Sequence, residues 1–200
     1  MPNVNRPSGL TPVKYANGAA WDGKLNMYFI DSANGSAFAK GDPVMLSGTG
    51  DSNGVPGIVL ATAGATNPVL GCVMGMAGTK YGASSGDPAS LGTIVVPATK
   101  TKSYYVLVCD DPDVIFEIQE GTDGAALSQT SIGLNFDLKS GTNNGFVSGW
   151  TMDNDTGATG ATLQLKALGL AQRPDNAFGT YAKWLVKINL HAFRAGVAGV

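Results

Sequence analysis

The sequence predicts an all-β protein that is either an antiparallel β-sandwich or a barrel. A jelly-roll-like arrangement of the strands is compatible with this prediction. It also predicts an extended N-terminal arm and little helix. Short runs of apolar, β-branched and aromatic residues are separated by clusters of Gly, Asn, Asp and Pro. Several runs alternate apolar and polar residues, which is typical of half-buried strands. The 28 glycines in 200 residues interrupt most windows before a long helix could form.

The predicted elements divide the chain into three parts: an arm at 1–12, a single β-rich domain at 13–190 and a C-terminal tail at 191–200. Three prolines remove backbone donors from the arm and favour extended geometry there. The one helical candidate, 125–132, is limited by glycines to about two turns. Ten strands are predicted, at residues 25–30, 43–46, 57–61, 69–76, 93–96, 103–109, 114–119, 146–152, 162–168 and 183–190.

Alternation predicts which side chains turn toward the core. Phe116 and Ile118 share one face of their strand, and Glu117 and Gln119 share the other. In the last two predicted strands, lysines 166 and 187 point away from their apolar neighbours. Four aromatic residues are candidates for glycan contacts: Trp21, Tyr28, Trp150 and Trp184. The three tryptophans are interpreted instead as core or interface packing.

The residues that could carry chemistry do not form a recognisable catalytic or metal-binding motif. His191 is the single histidine, and it ends a predicted strand. Cys72 and Cys109 each lie in an apolar run, so we expect buried, reduced thiols; a disulfide is compatible with the sequence but not required. One histidine and two distant cysteines lack the paired spacing of a zinc site. We therefore expect no metal, no cofactor and no enzymatic activity.

Five acidic residues cluster near one predicted strand and are the candidates for paired-carboxylate catalysis: Asp110, Asp111, Asp113, Glu117 and Glu120. A simpler interpretation is that they belong to a turn and to the outward face of the strand. Solvated carboxylates are therefore predicted at these positions.

The charge and hydropathy of the chain argue against two classes of partner. The 13 basic and 15 acidic residues do not supply the positive field that nucleic-acid binding needs. No apolar stretch is long enough to span a bilayer, and no secretory signal is evident, so we expect synthesis and folding in the cytoplasm. Residues 171–200 hold four bases and one acid, a net charge of +3, which either pairs within the subunit or contacts a second copy.

Four segments of the chain are similar to structural proteins of tailed-bacteriophage virions. These segments are MPNVNRPSGL at 1–10, AKGDPV at 39–44, VLGCVMG at 69–75 and FRAGV at 193–197. Among such proteins the chain most resembles the head decoration, or cement, proteins. The resemblance implies a capsid-stabilising protein on the outer surface of the virion. Its implied partners are the phage major capsid protein, whose neighbouring subunits it would bridge, and further copies of itself in a dimer or trimer.

The resemblance directs attention to the two termini as contact segments. The proline-rich arm is partly pre-ordered, which reduces the entropy lost on docking, and the apolar tail suits a groove. The alternative is that the termini are simply disordered. The predicted contact residues are Pro2, Asn3, Val4, Asn5, Arg6, Pro7, Arg194, Val197 and Val200.

Two other functions remain open at the level of sequence. The chain could be a head-fibre, tail or receptor-binding component that contacts a host through the loops 47–56, 78–92 and 139–160. It could instead be a virion-associated glycan hydrolase that uses Glu117 or the acidic cluster at 110–113.

Overall fold

The computed structural model describes residues 3–77 and 94–194. Within them the chain is almost entirely β-structure, with one turn of 3-10 helix at Gln129–Ser131. The strands are β1 (Thr11–Tyr15), β2 (Asn26–Ile30), β3 (Phe38–Ala39), β4 (Pro43–Gly50), β5 (Pro56–Leu60), β6 (Gly71–Ala77), β7 (Val95–Val96), β8 (Tyr104–Cys109), β9 (Val114–Gln119), β10 (Asn135–Phe136), β11 (Leu138–Lys139), β12 (Thr151–Met152), β13 (Leu165–Leu170) and β14 (Lys183–Ile188). The all-β prediction is confirmed.

Five strands close into a small barrel in the order β2, β5, β4, β6 and β8. Neighbours in the barrel are antiparallel except for β2 and β5, which meet in parallel at Phe29 and Gly57. Closure leaves no exposed strand edge and encloses a core of its own. The buried residues of this core are Tyr28, Ile30, Phe38, Val44, Ile58, Leu70, Val73, Val96, Val106 and Val108.

A separate antiparallel sheet has the strand order β1, β9, β14, β13 and β10. On its inner face Trp184 lies opposite Ile118, and Val186 lies opposite Phe116. These side chains belong to a second core that also contains the two cysteines of the barrel strands β6 and β8. The inner face of the sheet and the barrel therefore share one apolar layer, and the outer face of the sheet is left for other contacts.

The arm joins this body through a close contact between two glycines. Gly9 and Gly41 both have positive φ, at 62° and 90°, and the amide of Leu10 donates to the Gly41 carbonyl at 2.9 Å. A Cβ at position 41 would overlap the backbone carbonyl of Ser8. Glycine is therefore required at this position of the AKGDPV segment by both its conformation and the approach of the arm.

Several predicted elements differ from the observed ones. The strand at 146–152 is reduced to β12, because the Asn144 side chain accepts from the amides of Phe146 and Val147 and forms a turn. β1 was not predicted as a strand, and its first two residues fall within the predicted arm. It contains Pro12 but is an edge strand, where a missing donor is tolerated. The short strands β3, β10 and β11 were not predicted, and residue 93 of the strand predicted at 93–96 lies outside the described residues.

The predicted core residues are largely confirmed. Trp184, Trp150 and Tyr28 are buried. Both cysteines are free and buried. Burial raises the pKa of the Cys109 thiol to about 12, and burial also raises the pKa of the Cys72 thiol well above its ordinary value. No helix in the described part of the chain is long and apolar enough to cross a membrane.

Candidate interaction surface

The N-terminal segment 3–7 lies over the outer side of the five-stranded sheet and is held by its own subunit. The side-chain amide of Asn3 donates to the carbonyls of Ala177, Gly179 and Thr180 at 2.9, 3.2 and 3.1 Å. The amide of Ala177 donates back to the Asn3 Oδ1 at 3.0 Å. One asparagine thus makes four hydrogen bonds to the loop before β14. We call the segment 3–7 the docked arm.

Gln119, at the end of β9, receives the next part of the docked arm. Its Nε2 donates to Asn5 Oδ1 at 2.9 Å, and its Oε1 accepts from the Arg6 amide at 2.8 Å. Lys183 Nζ donates to the Arg6 carbonyl. Burial lowers the pKa of Lys183. Gln119 lies on the face of β9 opposite Ile118, as alternation predicts, but it is buried there because the docked arm covers it.

Apolar side chains stay exposed next to these polar bonds. Val4 is 61% exposed, and Phe178, which lies in the loop bound by Asn3, is 43% exposed. The Phe178 ring packs against Trp184 with 5.7 Å between centroids. Polar groups therefore fix the docked arm, while apolar groups at its surface remain available to a partner.

A polar cavity of about 180 Å³ lies beside the docked arm. Tyr181, one of its lining residues, has a positive φ of 66°, which is uncommon for a residue with a bulky side chain. Such a volume admits water or a small polar molecule. The cavity is lined by Asn5, Gln119, Glu120, Gly121, Thr122, Lys139, Thr151 and Tyr181.

The opposite end of the sheet holds the last described residue of the chain. Arg194 Nη2 contacts Asp113 Oδ1 at 2.6 Å and the Pro112 carbonyl at 2.9 Å. Lys187 Nζ contacts the same Asp113 oxygen at 2.7 Å. The hydrogen bond from Lys187, with the nearby Arg194 charge, lowers the pKa of Asp113. Part of the positive charge in 171–194 is therefore neutralised within the subunit.

The predicted contact residues thus fall into two groups. Asn3, Val4, Asn5, Arg6 and Pro7 lie together in the docked arm, and Arg194 lies at the other end of the sheet. Pro2, Val197 and Val200 lie outside the described residues, as does the loop 78–92. The receiving residues Gln119 and Lys183 were not singled out from the sequence. No local pattern could have found them, since each is more than one hundred positions from the arm.

The prediction that the acidic cluster is solvated is wrong for two of its members. Asp110 is buried, and it accepts from the Tyr28 hydroxyl at 2.6 Å and from the Asn26 amide at 2.9 Å. Glu120 is fully buried, and its Oε2 accepts from Trp184 Nε1 at 2.8 Å. Burial raises the pKa of Glu120 to about 7. Period-two alternation from Phe116 already placed Glu120 on the inner face, and that signal was missed.

The remaining acids and the histidine are also engaged locally. Glu117 contacts Arg173 at 3.0 Å, and Asp113 holds the cations described above. His191 is fully buried; its Nδ1 accepts from the Phe193 amide at 3.1 Å, and burial lowers its pKa to about 4. A neutral, buried imidazole is typical of a histidine with a structural role. In residues 3–77 and 94–194, no three His, Cys, Asp or Glu side chains are grouped so as to hold a metal ion.

Comparison of the chain with known protein families, with curated proteins and with solved structures finds no match. Functional inference therefore depends on the residues and geometry described above.

Proposed function

We propose that this chain is a structural virion protein that decorates a phage head and bridges neighbouring major capsid subunits as a homo-oligomer. The observation that carries the proposal is the docked arm: an extended segment is presented on the outer face of a β-sheet by polar bonds, with Val4 exposed. Its sequence lies within the first segment that resembles virion structural proteins.

The arrangement suits attachment by many weak contacts. Complete burial of an apolar side chain stabilises a complex by about 1.5–3 kcal/mol, so covering the exposed parts of Val4 and Phe178 contributes about 1 kcal/mol each. In a single subunit these contacts therefore contribute only a small binding free energy. In an oligomer that touches several capsid subunits at once, avidity exceeds the affinity of a single site by about 10²–10⁴.

The placement of the candidate catalytic carboxylates favours a binding function over glycan hydrolysis. A glycosidase needs one carboxylic acid and one carboxylate facing a shared cleft. Glu117 is instead paired with Arg173 on the outer face of the sheet, and Glu120 is bonded to Trp184 on the inner face. The two side chains stand on opposite sides of β9.

The first experiment is to quantify this chain against the major capsid protein in purified virions and to locate it by electron cryomicroscopy. We expect near-stoichiometric copies distributed over the head lattice. A few copies at a tail or vertex would contradict the proposal and favour the head-fibre or receptor-binding alternative.

A second experiment tests the docked arm itself. Val4→Asp places a charge on the exposed apolar position, and we expect occupancy on capsids lacking the protein to fall about tenfold or more, because a charge would have to be desolvated. Val13→Asp is the matched control, since Val13 is also exposed, at 41%, but lies outside the docked arm. Equal occupancy for both variants would show that the docked arm does not make the contact.

A further inference from the structure

The outer face of the five-stranded sheet carries a row of lysines. Lys166 on β13 and Lys187 on β14 are register partners, so their side chains stand next to each other on one face. The row continues from Lys187 through Ile115 on β9 to Lys14 on β1. Residues on either side of Lys166 and Lys187 are buried in the core, so the row faces outward.

Only part of the positive charge in this row is paired directly with a carboxylate. Asp113 is shared by Lys187 and Arg194. Within residues 3–77 and 94–194, Lys166 has no ion pair. Like charges directly opposite each other destabilise a sheet. The placement of Lys166 is therefore unfavourable for folding alone, and such local conflicts are expected at binding sites.

A cleft of about 190 Å³ lies where these cations meet, and Ile188 and Asn189 complete its wall. It has the size for one small anionic group. Exposed apolar surface lies on the same strand, because Leu168 follows Lys166 by two positions and is 39% exposed. Ile132, 47% exposed, precedes the glycine whose amide donates to the Ala167 carbonyl of β13. Positive charge and apolar surface therefore adjoin.

We propose that this cleft binds an acidic peptide segment of a protein partner, with a carboxylate held between Lys166 and Lys187 and apolar groups against Leu168. Among the described residues Lys166 has no ion pair and Lys187 shares Asp113 with Arg194, so this face keeps ammonium donors that match a carboxylate in charge and hydrogen bonding. A polyphosphate chain fits less well, because it offers no apolar group to lie against the exposed Leu168. The site is separate from the docked arm, and the inference does not rest on the function proposed above.

The test is calorimetric titration of the purified protein with a short poly-aspartate peptide and, separately, with inorganic phosphate, at low ionic strength. We expect saturable binding of the peptide that weakens with added salt. Lys166→Gln weakens it about tenfold, the change expected when one charge-assisted contact is lost, and Lys166→Arg restores most of it. Lys24→Gln is the matched control, since Lys24 is an exposed lysine that pairs only with Asp22 among the described residues.

Each result decides the proposal. Peptide binding that is lost in Lys166→Gln and kept in Lys24→Gln supports it. Absence of saturable peptide binding, or equal weakening by both variants, overturns it. Phosphate binding as tight as peptide binding overturns the assignment to a peptide. Thermal unfolding of Lys166→Gln, expected at or slightly above the wild-type temperature, separates lost binding from lost folding. Capsid occupancy of the Val4 variants is measured independently, so the two proposals fail separately.

Discussion

Replacement of Glu120 by glutamine should stabilise the protein at alkaline pH and have much less effect in acid. Glu120 is fully buried, and its Oε2 accepts from the Trp184 indole. Its Oε1 is a buried atom without a well-formed hydrogen bond in the part of the chain that the structure describes, and the Leu127 backbone and the indole offset only part of the cost of burial. Burial raises the pKa from an ordinary 4.5 to about 7. The folded protein therefore binds this proton more tightly than the unfolded chain does.

The sign and size of the effect follow from proton linkage. Below the ordinary pKa of 4.5, Glu120 is protonated in both states and its full contribution to stability is present. That contribution is lost as pH rises toward about 7. At about 1.4 kcal/mol for each pH unit, the loss is about 3 kcal/mol. Glutamine avoids the loss but places an amide donor without a partner, which costs about 1 kcal/mol. The expected net gain at alkaline pH is about 2 kcal/mol.

Urea unfolding followed by tryptophan fluorescence measures this between about pH 4 and about pH 8. The difference in free energy of unfolding between Glu120→Gln and wild type should grow with pH through this window. Glu117→Gln is the control, because it makes the same chemical change on the outer face of the same strand. A difference that stays constant with pH, or a variant that is less stable than wild type at alkaline pH, would refute the reasoning.

Three further predictions concern other sites. His191→Gln should remove a pH-dependent loss of stability. In the wild type the buried imidazole must be neutral, so the free energy of unfolding falls by up to about 3 kcal/mol as pH drops from 6.5 to about 4. Thermal unfolding of both proteins across that pH range measures the difference. Gly41→Ala should destabilise the protein by more than about 2 kcal/mol, whereas Gly18→Ala, which has a similar φ but open space, should cost about 1 kcal/mol in chemical unfolding. Asn3→Ala should release the docked arm and increase its cleavage by a protease, while Asn53→Ala, in a distant turn, should not.

The alternation of apolar and polar residues within single strands predicted which residues form the apolar layers. Phe116, Ile118 and Trp184 were placed in the core by alternation alone, and all three are buried. The same rule applied one step further would have placed Glu120 there. Glu120 was predicted to be solvated because it is a carboxylate, although the alternation of the strand placed it on the inner face.

The buried state of Gln119 could not be read from its neighbours. Its face of β9 is exposed by pattern, and it becomes buried because Asn5 and Arg6 return to it from the other end of the chain. The conformation of the arm is local and follows from its prolines. The place where it docks depends on contacts between residues more than one hundred positions apart.

Residue pattern alone predicted the all-β class, the alternation of strand faces, and the burial of both cysteines and of Trp184. The same pattern predicted that Lys166 and Lys187 point away from the core. That five strands close into a barrel and five others form a sheet is visible only in the folded chain. It alone placed Lys166 directly opposite Lys187. The physical reason is that alternation is a property of a single strand, whereas order and register are fixed by packing between strands that are distant in sequence.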